Sequence, residues 1–151
     1  MARRTTLLAL ALVALIVAIV TAPAGGASSP EATMLAKVNN YRRAHGVKPV
    51  HLSNSLKSSA DRKAHDMLRS QRFGHDSRIH ANHHYRRLGE IIEMQTGYAP
   101  DVNRAFKAWI HSSPHRAIIL DRGFNYAGAG RAAGRYHGRK TTMWVMHYGH
   151  P

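Results

Sequence analysis

Apolar residues recur at helical spacing within 31–68 and again within 102–120, and strand character enters only in the last thirty residues. That order predicts an α+β layer fold and argues against a parallel βαβ sheet, in which strands and helices alternate. Ser29, Pro30 and Glu31 have the composition of a helix start, with Ser29 as cap, and Gly46 is the matching stop. Between them Met34, Leu35, Val38 and Tyr41 fall on one helical face. Ser53 or Ser55 opens a second helix with Leu56, Ala60, Ala64, Met67 and Leu68 on one stripe, and the alanines permit close packing. Asp101 caps a third helix carrying Val102, Ala105, Phe106 and Trp109, and Ser113 with Pro114 opens a short fourth carrying Ile118, Ile119 and Leu120. From Phe73 to Tyr98 the periodicity fades, so this segment is expected to be a long loop with short ordered pieces. The stretch 125–135 is rich in Gly and Ala, a His-Gly turn signal follows, and 141–146 is β-branched and aromatic; together they predict a terminal antiparallel hairpin.

The chain has 151 residues, room for one domain, and 44% of them are hydrophobic, which excludes a wholly disordered chain. It has no Cys, so there is no disulfide scaffold, thiolate zinc site, cysteine nucleophile or lipoprotein anchor. Arg3 and Arg4 precede an apolar run of 14 residues from Leu7 to Val20, and Ala22-Pro23-Ala24 supplies a small-residue cleavage pattern. Residues 1–24 therefore read as a secretory signal peptide, with an uncleaved anchor as the alternative; the run is short of the roughly 20 residues that span a bilayer. Residues 25–30 form a short linker and 31–151 the domain. The expected location is secreted or extracellular.

The full chain carries 22 Lys+Arg against 8 Asp+Glu, a formal +14, and removal of 1–24 leaves +12. Such an excess draws a domain towards polyanions, here anionic cell-envelope polymers or lipid headgroups. The bland alternative is solubility, because the basic residues are spread from Lys37 to Lys140. His83, His84, Arg86 and Arg87 make a local basic patch that reads as a solvated charged loop, with the holding of phosphates or acidic glycans as its functional alternative; charge without a defined fork geometry is nonspecific, and no specific nucleic acid recognition is expected. Nothing in the pattern calls for an oligomer, and a monomer is expected.

Three stretches combine titratable groups with turn residues: Phe73-Gly74-His75-Asp76-Ser77, Leu88-Gly89-Glu90-Ile91, and Trp109-Ile110-His111-Ser112-Ser113-Pro114-His115-Arg116. Imidazoles and a carboxylate converging in one cleft would suit a divalent metal with an open position, or a base and its orienting partner. His75, Glu90 and His115 meet only if the tertiary fold unites them. Ser77, Ser112 and Ser113 lack the context of a nucleophile and read as caps or hydrogen-bond partners. His111 and His115 stand four apart like two helical zinc ligands, but Ser112 replaces the expected glutamate and Pro114 breaks the helix. Trp109, Phe106, Trp144 and Met146 read as core.

In this order the stretches resemble the CAP superfamily, or SCP domain, which includes cysteine-rich secretory proteins, antigen 5 and plant pathogenesis-related 1 proteins, and most of all its small bacterial secreted branch. The resemblance runs from about Glu31 to Gly149 and includes Val38-Asn39-Asn40-Tyr41-Arg42, Tyr126-Ala127-Gly128-Ala129-Gly130 and Trp144-Val145-Met146-His147-Tyr148-Gly149. It implies a three-layer α-β-α sandwich around a small antiparallel sheet, with a cleft lined by two His and two Glu. On matching positions His75 and His115 are the histidines and metal ligands, and Glu90 is the first glutamate. The second falls near Ser112, so the tetrad is incomplete. Ile91 stands where the family usually has Asn, which puts the positioning of Glu90 in doubt.

The expectation is thus a binding protein whose cleft of His75, Glu90, Ser112 and His115 takes a divalent metal ion, zinc foremost, or a small apolar ligand. A metal-assisted extracellular peptidase with Glu90 as catalytic base is the rival. The alternative to both is structural: imidazoles hydrogen-bonded to Glu90 that tie loop to helix.

Overall fold

The computed structural model describes residues 28–75, 78–81 and 85–151. The leader at 1–24, most of the linker, and Asp76, Ser77, His83 and His84 lie outside the described residues. The elements run α1 (Pro30–Ala44), β1 (His51–Leu52), α2 (Asn54–Ser70), β2 (Arg87–Thr96), α3 (Val102–His111), α4 (Ser113–Ile119), β3 (Tyr126–Tyr136) and β4 (Arg139–His150).

The helix signals act as read. Ser29 caps α1 by accepting from the Ala32 amide, and Gly46 ends the turn at φ +65°. Ser53, not Ser55, caps α2, and Asp101 caps α3. The cap of α4 is displaced by one residue: Ser112, in extended conformation and without a side-chain cap bond, stands between α3 and α4. That break carries the chain out of helix between His111 and His115, as Pro114 requires.

β3 and β4 form the expected antiparallel hairpin, closed by His137 and Gly138, both at positive φ, which is the geometry of the tight turn that suits strand twist. The segment read as a long loop contains a ten-residue strand instead. β2 pairs antiparallel with β4 along its whole length, and β1 adds a two-residue parallel pair to β3, giving the order β1-β3-β4-β2. The sheet is therefore mixed at one edge rather than purely antiparallel. The strand is hidden in sequence because Glu90 and Gln95 interrupt its apolar pattern. Their cross-strand partners lie far along the chain, His147 for Glu90 and Trp144 for Gln95, and Gln95 also donates to the Asp101 carbonyl six residues on.

Helices cover both faces. On one side α1, α3 and α4 bury Met34, Val38, Ala105, Trp109 and Ile119 against Ile91, Ala129, Trp144 and Met146. On the other, α2 buries Ala60, Ala64 and Met67 against Ile92, Ala132, Met143 and Val145. This is the α-β-α sandwich. Its central strand β4 is buried on both sides, which is why its sequence reads as a nearly continuous apolar run. α2 lies so close to β3 that a Cβ on Gly128 or Gly130 would enter the backbone of residues 56–57 or 60–61. On the opposite side Arg42, 1% exposed, donates to the carbonyls of Lys48, Ile119, Asp121 and Phe124, fixing α1 to the loop after α4. Burial lowers its pKa, and the nearby Tyr148 and Asp121 oppose that shift.

Candidate functional site

Antiparallel pairing sets Glu90 of β2 directly opposite His147 of β4, and His147 opposite Gly128 of β3. Cross-strand partners share a face, so Glu90 and His147 point to the α2 side of the sheet. There Glu90 Oε2 lies 2.8 Å from His147 Nε2, and Oε1 lies 2.7 Å from His75 Nδ1. The Glu90 and His147 side chains are 7% and 2% exposed, whereas that of His75 is 56% exposed. One carboxylate thus joins a buried imidazole to one at the surface.

Burial pushes the Glu90 carboxyl up, but hydrogen bonds from His147 and His75 and the charges of His147 and Lys63 outweigh it. Its pKa is held below the ordinary glutamate value. An ionised carboxylate only accepts, so His75 carries a proton on Nδ1 and His147 on Nε2. This leaves His75 Nε2 free of the carboxylate. His147 Nδ1 is buried and has no hydrogen-bond partner among the described residues.

His115, half-buried in the first turn of α4, has its pKa lowered by burial and then by the charge of His75. Two of the three sequence-predicted groups, His75 and Glu90, are hydrogen-bonded, and His115 is close enough to His75 to feel its charge. Ser112 serves the backbone: its amide donates to Ala108 and Trp109, and its carbonyl accepts from Arg116. His111 lines a different hollow, with Asp101, Arg104 and Lys107. Ile91 is fully buried in the core, and the two imidazoles fix Glu90 where the family's Asn is missing.

His147 was not among the residues singled out from sequence. Its signal is there, a lone ionisable side chain inside the apolar run Met143–Tyr148, but its partner depends on the register of β2. Beside this pair opens a hollow of about 560 Å³ lined by His75, Arg78, Ile79, Leu88, Glu90 and Ile118. Among the described residues no group of three or more His, Asp or Glu is arranged to hold a metal ion. Both Glu90 oxygens are already engaged, so His75 and His115 offer two imidazoles, one fewer than the three protein ligands of a catalytic zinc.

Residues 35–148 match the model of the cysteine-rich secretory protein family, and the chain belongs to that CAP family. A protein of Bacillus subtilis strain 168, YkwD, described as uncharacterized, is 28% identical over 119 residues; these span 73% of this chain and 45% of the relative. The chain thus spans less than half the length of that curated relative. An extracellular SCP-domain protein of Bacillus anthracis has the same fold at 19% identity and a TM-score of 0.63, over 81% of this chain and 40% of the other. An outer surface protein of Borrelia burgdorferi matches at 13% identity and a TM-score of 0.62, over 78% and 90% of the two chains.

Proposed function

We propose that this chain is an exported binding domain whose His75–Glu90–His115 cleft takes a small ligand or an exchangeable divalent ion, and whose basic exterior associates with anionic cell-envelope polymers or lipid headgroups. The observation that carries the reading is the engagement of both Glu90 oxygens by imidazoles. A general base works best with a pKa near the operating pH, whereas Glu90 is held down and hydrogen-bonded on both oxygens. Glu90 is therefore an anchor that orients His75, and the peptidase reading loses its base.

The adjoining hollow has the character of a ligand site: Ile79, Leu88 and Ile118 give an apolar wall, while His75 and Arg78 supply polar contacts. Two imidazoles with water completing the shell suit an exchangeable zinc rather than a resident one, and the lowered pKa of His115 keeps it neutral and available at pH 7. Export rests on residues 1–24, and among the described residues no helix is long and apolar enough to cross a membrane.

Calorimetric titration with zinc tests the metal half. His75→Ala and His115→Ala are each expected to weaken binding about tenfold or more, the loss of one of two inner ligands. Equal affinities for all three proteins would refute it.

A further inference from the structure

The end of the sheet far from Glu90 carries a separate concentration of charge. Arg135 of β3 and Lys140 of β4 are directly opposed across the hairpin, and Arg139 stands in the next pair, beside the turn. Seven residues of β4 separate Lys140 from His147, so this end lies roughly 23 Å from the cleft and shares no residue with it. We propose that it docks on an anionic phospholipid bilayer, with Arg135, Arg139 and Lys140 on the lipid phosphates and Tyr98 at headgroup level.

Like charges directly opposite one another weaken an antiparallel pair. Arg135 donates to the Gly138 carbonyl, and Lys140 lies 5.6 Å from the centre of the Tyr98 ring, but neither contact brings a negative charge. All three cations are exposed, and among the described residues none is in an ion pair, unlike Lys57, Arg69, Arg87 and Arg131. The carboxylates that open the neighbouring helices are engaged, Glu31 with Arg131 and Asp101 with the Arg104 amide that it caps. An anion from outside is therefore what offsets the repulsion. Tyr98 is 42% exposed, and a tyrosine ring suits the boundary between acyl chains and headgroups.

The entry point of the chain favours a bilayer over a soluble polymer. Glu31, in the first turn of α1, is bonded to Arg131, four residues along β3 from Arg135, and α1 then runs away from the turn to place Arg42 on the carbonyls of Ile119, Asp121 and Phe124. Residues 1–27 thus join the domain on the side of the hairpin turn. Val20, the last residue of the apolar run, stands nine residues before Ser29, a span of at most about 30 Å. A leader held in the bilayer, before cleavage or as an anchor, keeps this end within that distance of the headgroups, where basic side chains gain most from anionic lipid.

The inference rests on the basic exterior proposed above and gives it a face and a partner. All eight elements and both cores lie after residue 28, so the chain from residue 25, the form that leader removal leaves, carries the whole sandwich. Its co-sedimentation with vesicles of phosphatidylglycerol and of phosphatidylcholine would be compared with that of two double variants, Arg135→Gln with Lys140→Gln, and Lys48→Gln with Arg122→Gln. The second pair removes the same charge from exposed positions on the loops that follow α1 and α4, at the opposite end. Expected are binding to phosphatidylglycerol but not to phosphatidylcholine, a loss of about tenfold or more in the hairpin pair, and little change in the other. The chain has no Cys, so Ala133→Cys and Lys48→Cys each give a single labelling site. A fluorophore at 133, on the face of Arg135 and Lys140, should be quenched by a headgroup-bound quencher, and one at 48 should not. No binding to phosphatidylglycerol, equal losses in the two pairs, or equal quenching at the two positions would overturn the proposal. Binding to dextran sulfate without binding to vesicles would overturn it while leaving the basic exterior in place, and failure to bind either would remove both.

Discussion

Glu90 concentrates the chemistry of the site in one side chain. Because its folded pKa is depressed, it contributes stability at pH values above its ordinary value of about 4.3, and that stability is lost as pH falls through the lowered folded value. Urea unfolding followed by the fluorescence of the buried Trp109 and Trp144 should therefore show a steep loss of stability below about pH 4. In Glu90→Gln that acid slope should flatten, and at pH 7 the variant should lose about 1–2 kcal/mol through its weakened bonds to His75 and His147. An unchanged acid slope would mean that Glu90 is not held ionised by its neighbours. Of this constellation the sequence displayed His75, Glu90 and His115, each beside turn residues that mark a loop or an element end. His147 stayed hidden because a histidine within an apolar run is read with its strand, and only pairing reveals its partner.

At the scale of elements, the contact between α2 and β3 is the tightest demand the fold makes. Gly130→Ala would force a methyl into the backbone of residues 60–61, which cannot move aside without shifting α2; a cost of about 3 kcal/mol is expected in denaturant unfolding. Gly134→Ala would meet only Leu68 Cδ1 at 3.0 Å, a side-chain end that can yield, and should cost roughly 1 kcal/mol or less. Equal costs would show that the close approach of α2 is not what selects glycine. Helix caps and stripes were legible because they are local: Ser29, Ser53 and Asp101 each bond within three residues. β2 was not, since the polar groups that break its pattern, Glu90 and Gln95, are satisfied by side chains of β4, by His75 and by the residue that caps α3. Arg42 was missed for the same reason, as the carbonyls it serves come from residues 48 and 119–124.

For the whole molecule, the order of helical and strand patterns was enough to reach an α+β layer fold, and the resemblance supplied the sandwich. The parallel β1 edge escaped notice because two residues carry no periodicity. The excess of basic residues acts at this scale too. Affinity for a soluble polyanion such as dextran sulfate should fall by roughly tenfold or more between 50 and 200 mM salt, by the release of condensed counterions, with His75→Ala and His115→Ala unaffected. Salt-insensitive binding would remove the electrostatic exterior from the account.

The central claim is that an ionised Glu90 accepts from both imidazoles and so orients the cleft. Nitrogen-15 spectra of the histidine side chains at a pH where the rings are neutral test it most directly, since each tautomer has its own pair of shifts. The account predicts opposite tautomers, the proton on Nδ1 in His75 and on Nε2 in His147. Finding His75 protonated on Nε2 would contradict it.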